Sequence, residues 1–100
     1  MRPSISTHVL DTERGEPARG LRVELFRRDV LLSAQATDAD GRITDLVQGP
    51  LERGSYRLVF RLGGRFFSCI QIEFAVDDPG RHYHVPLLVA PYACTTYRGS

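Results

Sequence analysis

Apolar and polar residues alternate along most of this chain, and a period of two predicts strands. Over residues 4–11, Ile5, Thr7 and Val9 fall on one side and Ser6, His8 and Leu10 on the other. Residues 20–27 set Leu21, Val23 and Leu25 against Arg22, Glu24 and Arg27. Further strands are predicted over residues 31–37 and, shorter, over 43–47. Tyr56, Leu58 and Phe60 then alternate with Arg57, Val59 and Arg61, and Phe66, Ile70, Ile72, Phe74 and Val76 hold one face of a long strand. Tyr83, Val85, Leu87 and Val89 alternate with His84, Pro86, Leu88 and Ala90 within a final pair of strands, and a polar tail, residues 95–100, follows.

Between these runs lie turn and loop signals: residues 12–20, Arg28-Asp29, Asp38-Ala39-Asp40-Gly41, residues 48–54, Gly63-Gly64 and residues 77–80. Roughly eight short strands at regular spacing, with no stretch of helical period, predict one all-β sandwich domain over residues 1–100. An unrelated immunoglobulin-like module has the same pattern, because such sandwiches share architecture without sharing function.

Composition narrows the function classes. The chain is 42% hydrophobic, enough for an ordinary core. A domain of 100 residues buries a modest share of its surface, so assembly would add stability. Thirteen basic and twelve acidic residues give a net charge of +1 with no basic run, which argues against nucleic acid or an anionic membrane as partner. No apolar leader and no apolar stretch near membrane-spanning length is seen, so a soluble, cytoplasmic protein is expected. Cys69 and Cys94 are then expected to be free thiols.

Three motifs carry a more specific signal. They are Ser6-Thr7-His8-Val9-Leu10-Asp11 with Gly15-Glu16-Pro17-Ala18, then Asp38-Ala39-Asp40-Gly41-Arg42, then His82-Tyr83-His84-Val85-Pro86-Leu87-Leu88 with a closing Tyr97-Arg98-Gly99-Ser100. In this order, and over nearly the whole chain, the sequence resembles the transthyretin-related 5-hydroxyisourate hydrolases. The closing tetrapeptide is the most specific part, since transthyretin carriers resemble the enzymes in fold but lack it. The resemblance implies a transthyretin-like sandwich of two four-stranded sheets. It departs from the family at one place. Relatives carry a short helix before the strand that ends near Val76, and here residues 63–69 leave room only for a turn, so that helix is expected to be deleted or reduced.

By alternation His8 and His84 lie opposite the core-facing positions of their strands, together with Leu10 and Leu88. Two leucines on an outer face suggest cover by a partner subunit, and a homotetramer built as a dimer of dimers, with the histidine-bearing sheets facing each other, is expected. The resemblance implies that His8, Arg42, His84 and Ser100 are catalytic, that Tyr97, Arg98 and Gly99 line the substrate, and that no metal or other cofactor is needed. His82 and His84 form a His-x-His pair able to chelate zinc, but the sequence offers no evident third ligand.

The chemistry fits these residue types. Hydrolysis of a cyclic amide needs a water made nucleophilic near neutral pH, which suits neutral imidazole. It also needs donors where oxyanion charge develops, and the planar fork of Arg42 matches ring carbonyls. His8 and His84 are expected to activate water and move protons, with the general base left open between them. Arg42 is expected to bind substrate and oxyanion, and Ser100, with Tyr97 and Arg98, to close the pocket. No Asp–His–Ser arrangement points to a serine nucleophile. Activity is also expected to depend on the chain ending at Ser100, whose carboxylate could orient Arg42, Arg98 or a histidine. The expected product is 2-oxo-4-hydroxy-4-carboxy-5-ureidoimidazoline, in urate breakdown. A carrier of an aromatic small molecule and a purely structural sandwich module are the competing readings.

Overall fold

The computed structural model describes residues 2–100 and contains ten strand segments and, among those residues, no helix. In chain order they are β1 (Ile5–Asp11), β2 (Glu16–Pro17), β3 (Arg22–Arg27), β4 (Val30–Ala36), β5 (Arg42–Ile43), β6 (Gly54–Arg61), β7 (Cys69–Val76), β8 (Tyr83–His84), β9 (Leu87–Ala90) and β10 (Ala93–Thr96). One sheet has the order β4-β3-β6-β7, all antiparallel. The other runs β10-β9-β1-β2, with β5 and β8 also paired to β1.

The second sheet is four rows wide but is cut into six segments. β8 and β9 share one edge of β1, both parallel to it. Pro86, which has no N–H to donate to the ladder, interrupts them. β2 and β5 share the other edge, both antiparallel to β1. Thr7 is fully buried on the core side and donates its hydroxyl to the Val85 carbonyl at 2.6 Å, tying β1 to the interrupted stretch.

The core lies between the sheets. β1, β8 and β9 contribute Ile5, Val9, Tyr83 and Leu87; β3, β6 and β7 contribute Val23, Leu25, Tyr56, Leu58, Phe60 and Val76. Fully burying side chains of this size stabilises by about 1.5–3 kcal/mol each. Arg28 and Asp29 both take positive φ (51° and 64°), as a two-residue hairpin between β3 and β4 requires.

Four expectations need correction. The strand expected over residues 43–47 ends at Ile43, because Asp45 accepts a hydrogen bond from the Gln48 amide at 2.9 Å and turns the chain. Phe66 does not belong to the long strand: β7 starts at Cys69, and Phe66 is 67% exposed, packed edge-on against Phe67. The loop expected over residues 12–20 contains the two-residue β2. Thr95 and Thr96, expected in the tail, belong to β10, where Thr96 donates to the Pro86 carbonyl at 2.8 Å. The expected loss of the helix before β7 is borne out: residues 63–68 form a turn closed by the Leu62 amide on the Ser68 carbonyl at 2.9 Å. Cys69 and Cys94 are both free.

Candidate active site

The outer face of β1 carries Ser6, His8 and Leu10, and the neighbouring rows extend it on both sides. Ser6 stands opposite His84, Leu10 opposite Leu88, and His8 opposite Arg42. Residues opposite one another in adjacent strands point to the same face. The structure therefore gathers His8, Arg42 and His84 on one surface, although they come from positions 8, 42 and 84 of the chain.

Arg42 reaches this position through a tight turn. The Asp38 carboxylate accepts the amides of Asp40 and Arg42, both at 2.9 Å. The Gly41 amide donates to the Asp38 carbonyl at 3.0 Å, and the Gly41 carbonyl accepts the Val9 amide at 2.8 Å. Gly41 has φ 75°, and a Cβ there would lie 2.5 Å from the Val9 carbonyl oxygen, so only glycine lets the turn dock on β1. The Arg42 and Asp40 amides, together with the positive charge of Arg42, hold the Asp38 carboxyl below its ordinary pKa.

His84 is held from two sides. Its Nδ1 lies 2.8 Å from Ser6 Oγ, and that same hydroxyl lies 2.8 Å from His82 Nε2. The Nδ1 of His82 accepts the Ser4 amide at 3.1 Å. On the opposite edge of the His84 ring lies Gly99, whose amide donates to the His84 carbonyl at 2.8 Å. Burial lowers the His84 pKa, and the charges of His8, His82 and Arg42 lower it further. His84 is thus kept neutral and able to exchange a hydrogen bond with a ligand.

The rest of the tail divides. Gly99 bridges to His84, while Arg98 turns to the other side and lays its guanidinium carbon 4.9 Å from the ring centroid of Tyr83. Tyr83 is buried on the core side and donates its hydroxyl to Asp77 at 2.6 Å. Tyr97 and Arg98, with Ile72, Phe74 and Thr96, line a cleft of about 220 Å³ at the sheet edge. Ser100 is exposed. Among the described residues no cluster of three or more His, Cys, Asp or Glu is disposed to hold a metal ion. His82 serves instead as a hydrogen-bond partner. Sequence reasoning did not single out Ser6 or Asp38 for the site; the available signal was that Ser6 shares the alternation of His8, and that Asp38 opens the turn ending at Arg42.

This fold, two sheets with imidazoles and a guanidinium on one outer face, defines a transthyretin-like sandwich carrying polar site chemistry. The chain belongs to the HIUase/Transthyretin family, whose model matches residues 5–99. It is 40% identical to the 5-hydroxyisourate hydrolase of Caulobacter vibrioides, over 96% of this chain and 97% of that one. The solved 5-hydroxyisourate hydrolase of Klebsiella pneumoniae superposes with a TM-score of 0.92 at 37% identity, covering 98% of this chain and 99% of that one. Sea bream transthyretin, solved in complex with thyroxine, superposes with a TM-score of 0.83 at 26% identity, covering 95% and 93%.

Proposed function

We propose that this chain is a 5-hydroxyisourate hydrolase of urate breakdown, converting its substrate to 2-oxo-4-hydroxy-4-carboxy-5-ureidoimidazoline. The observation that carries the reading is the juxtaposition of His8, Arg42 and His84 on one sheet face, in a chain whose full-length relatives bear the enzyme's name. 5-Hydroxyisourate is planar and rich in ring carbonyls, which suits the forked donors of Arg42. A histidine takes a proton from water as its oxygen attacks the lactam carbonyl, and Arg42 with the second histidine meets the oxyanion. The tail, through Gly99 against His84, forms one wall, and Tyr97 and Ser100 complete it, while Arg98 anchors the tail on the Tyr83 ring.

The carrier reading draws on the likeness to transthyretin, but the identity to the named hydrolases is higher, 40% and 37% against 26%. Freshly generated 5-hydroxyisourate decides between them. The enzyme is expected to speed the decay of its ultraviolet absorbance well beyond the spontaneous rate, and an unchanged rate would leave the carrier and the structural module.

The working form is a homotetramer, a dimer of dimers with the histidine faces turned toward each other. Leu10 and Leu88 support this, since both are only half-buried beside His8 and His84 in the single chain. A fully active monomer by light scattering at micromolar concentration would overturn it. Two free thiols suit a reducing compartment, and the cytoplasm is the proposed location. Among the described residues no helix is long and apolar enough to cross a membrane.

A further inference from the structure

We propose that His82 and Ser6 are positioning residues that hold His84 as the tautomer protonated on Nε2, so that His84 donates to the substrate and His8 is the base that activates water. The inference rests on the hydrolytic reading of this face and deepens it.

The direction of the chain of hydrogen bonds is set at its far end. The Ser4 backbone amide can only donate, and it donates to His82 Nδ1 at 3.1 Å. That nitrogen therefore carries a lone pair, and the proton of neutral His82 sits on Nε2. Nε2 lies 2.8 Å from Ser6 Oγ, so it donates to the hydroxyl oxygen. The Ser6 hydroxyl then gives its own proton to His84 Nδ1, also at 2.8 Å. Each proton is used once, and His84 is left with a lone pair on Nδ1 and a proton on Nε2.

The reverse arrangement is unfavourable. Were His84 to donate from Nδ1, the Ser6 oxygen would face two donors and its own proton would have no partner, in a residue only 8% exposed. A doubly protonated His84 meets the same obstacle, and it would also stand beside His8, His82 and Arg42. With Nδ1 bound to Ser6 and the Cδ2 edge against Gly99, Nε2 is the ring atom left for a ligand. A nitrogen that already bears a proton cannot take one from water. His8 differs: among the described residues no hydrogen bond to its ring is seen, so either nitrogen is free to accept.

The roles then balance. Water oxygen bonds to the lactam carbonyl carbon and its proton goes to His8. The carbonyl electron pair moves to oxygen, where His84 Nε2–H and the Arg42 guanidinium donate to it. The pair returns, the carbon–nitrogen bond breaks, and the leaving nitrogen takes the proton from His8.

The test is a long-range proton–nitrogen correlation spectrum of the full chain with 15N-labelled histidine, near neutral pH. His84 is expected to show a pyrrole-like Nε2 and a pyridine-like Nδ1 in the wild type. In Ser6→Ala and in His82→Phe the two nitrogens should move toward averaged values, and kcat should fall by about 10–100-fold, as for other partners that orient a site residue, with KM little changed. His82→Gln, which keeps an amide donor for Ser6, should recover part of the loss. A wild-type His84 protonated on Nδ1 overturns the proposal without recourse to any variant. So does a His82→Phe protein whose His84 signals and kcat both match the wild type. Absence of turnover in the wild type would instead strike the hydrolytic reading, and the tautomer would still be read from the spectrum.

Discussion

Gly99 lies directly against the His84 ring: its amide donates to the His84 carbonyl at 2.8 Å, and a Cβ on Gly99 would come within 2.5 Å of the ring's Cδ2. The same Cβ would stand 3.2 Å from the Pro86 ring. A side chain here must push either the tail or the imidazole aside. Gly99→Ala is therefore expected to lower kcat/KM by roughly 10²-fold, the scale of a 1 Å misplacement of a reacting group. The thermal midpoint should hardly move, since Gly99 contributes nothing to the core. Wild-type kcat/KM in this variant would mean that the tail does not shape the site.

His8→Ala, which removes the base, and His84→Ala, which removes an oxyanion donor, should each lower kcat by at least about 10²-fold with the fold intact. Arg42→Lys should also lose activity, because an ammonium cannot reproduce a two-pronged contact. Circular dichroism alongside kinetics separates these losses from unfolding. Three variants with near wild-type turnover would refute the site.

Gly41→Ala combines a positive φ of 75° with a backbone clash on Val9. The conformation alone costs about 1–3 kcal/mol in a residue with a side chain. In a domain of this size each 1 kcal/mol shifts the midpoint by about 4–8 °C, so a fall of about 10 °C is expected by calorimetry. Activity measured well below the midpoint should fall too, because the turn carries Arg42. A stable and active variant would show that the turn can relax at no cost.

His84 also predicts a pH dependence. Burial, then the charges of His8, His82 and Arg42, set its folded pKa below the ordinary imidazole value. The unfolded chain then binds more protons at this position than the folded one. Stability is thus intact above the ordinary value of about 6.5 and is lost as pH falls from there toward the folded pKa. Thermal midpoints measured across this acid range should decline more steeply in the wild type than in His84→Gln. An NMR titration midpoint for His84 at or above the ordinary value would contradict this.

The strands whose two faces meet different surroundings were legible in the sequence. In β1, Ile5, Thr7 and Val9 face the core while His8 and Leu10 are half-buried, so the period of two is clear and puts the site face on the correct side. Where a side chain's hydrogen bond overrides the pattern, legibility stops. Asp45 ends a strand that residues 43–47 otherwise favour, and Phe66 continues an apolar rhythm beyond the ladder. The site divided in the same way. The outward place of His8 and His84 follows from alternation, but the role of Ser6 depends on a register that only pairing reveals. Arg98 shows the converse: its place in the tail says nothing of its turn toward Tyr83.

The parallel pairing of β1 with β8 and β9 has a consequence for biosynthesis. Residues 5–11 leave the ribosome early, yet one whole edge of their strand waits for residues 83–89. Contacts so distant along the chain form late and slowly. Until then β1 presents unpaired amides and carbonyls, which is a template for aggregation. The same pairing brings the rows of His8 and His84 together, so on the proposed site a partly synthesised chain is inactive, and turnover itself would certify that the two ends of the polypeptide have found each other.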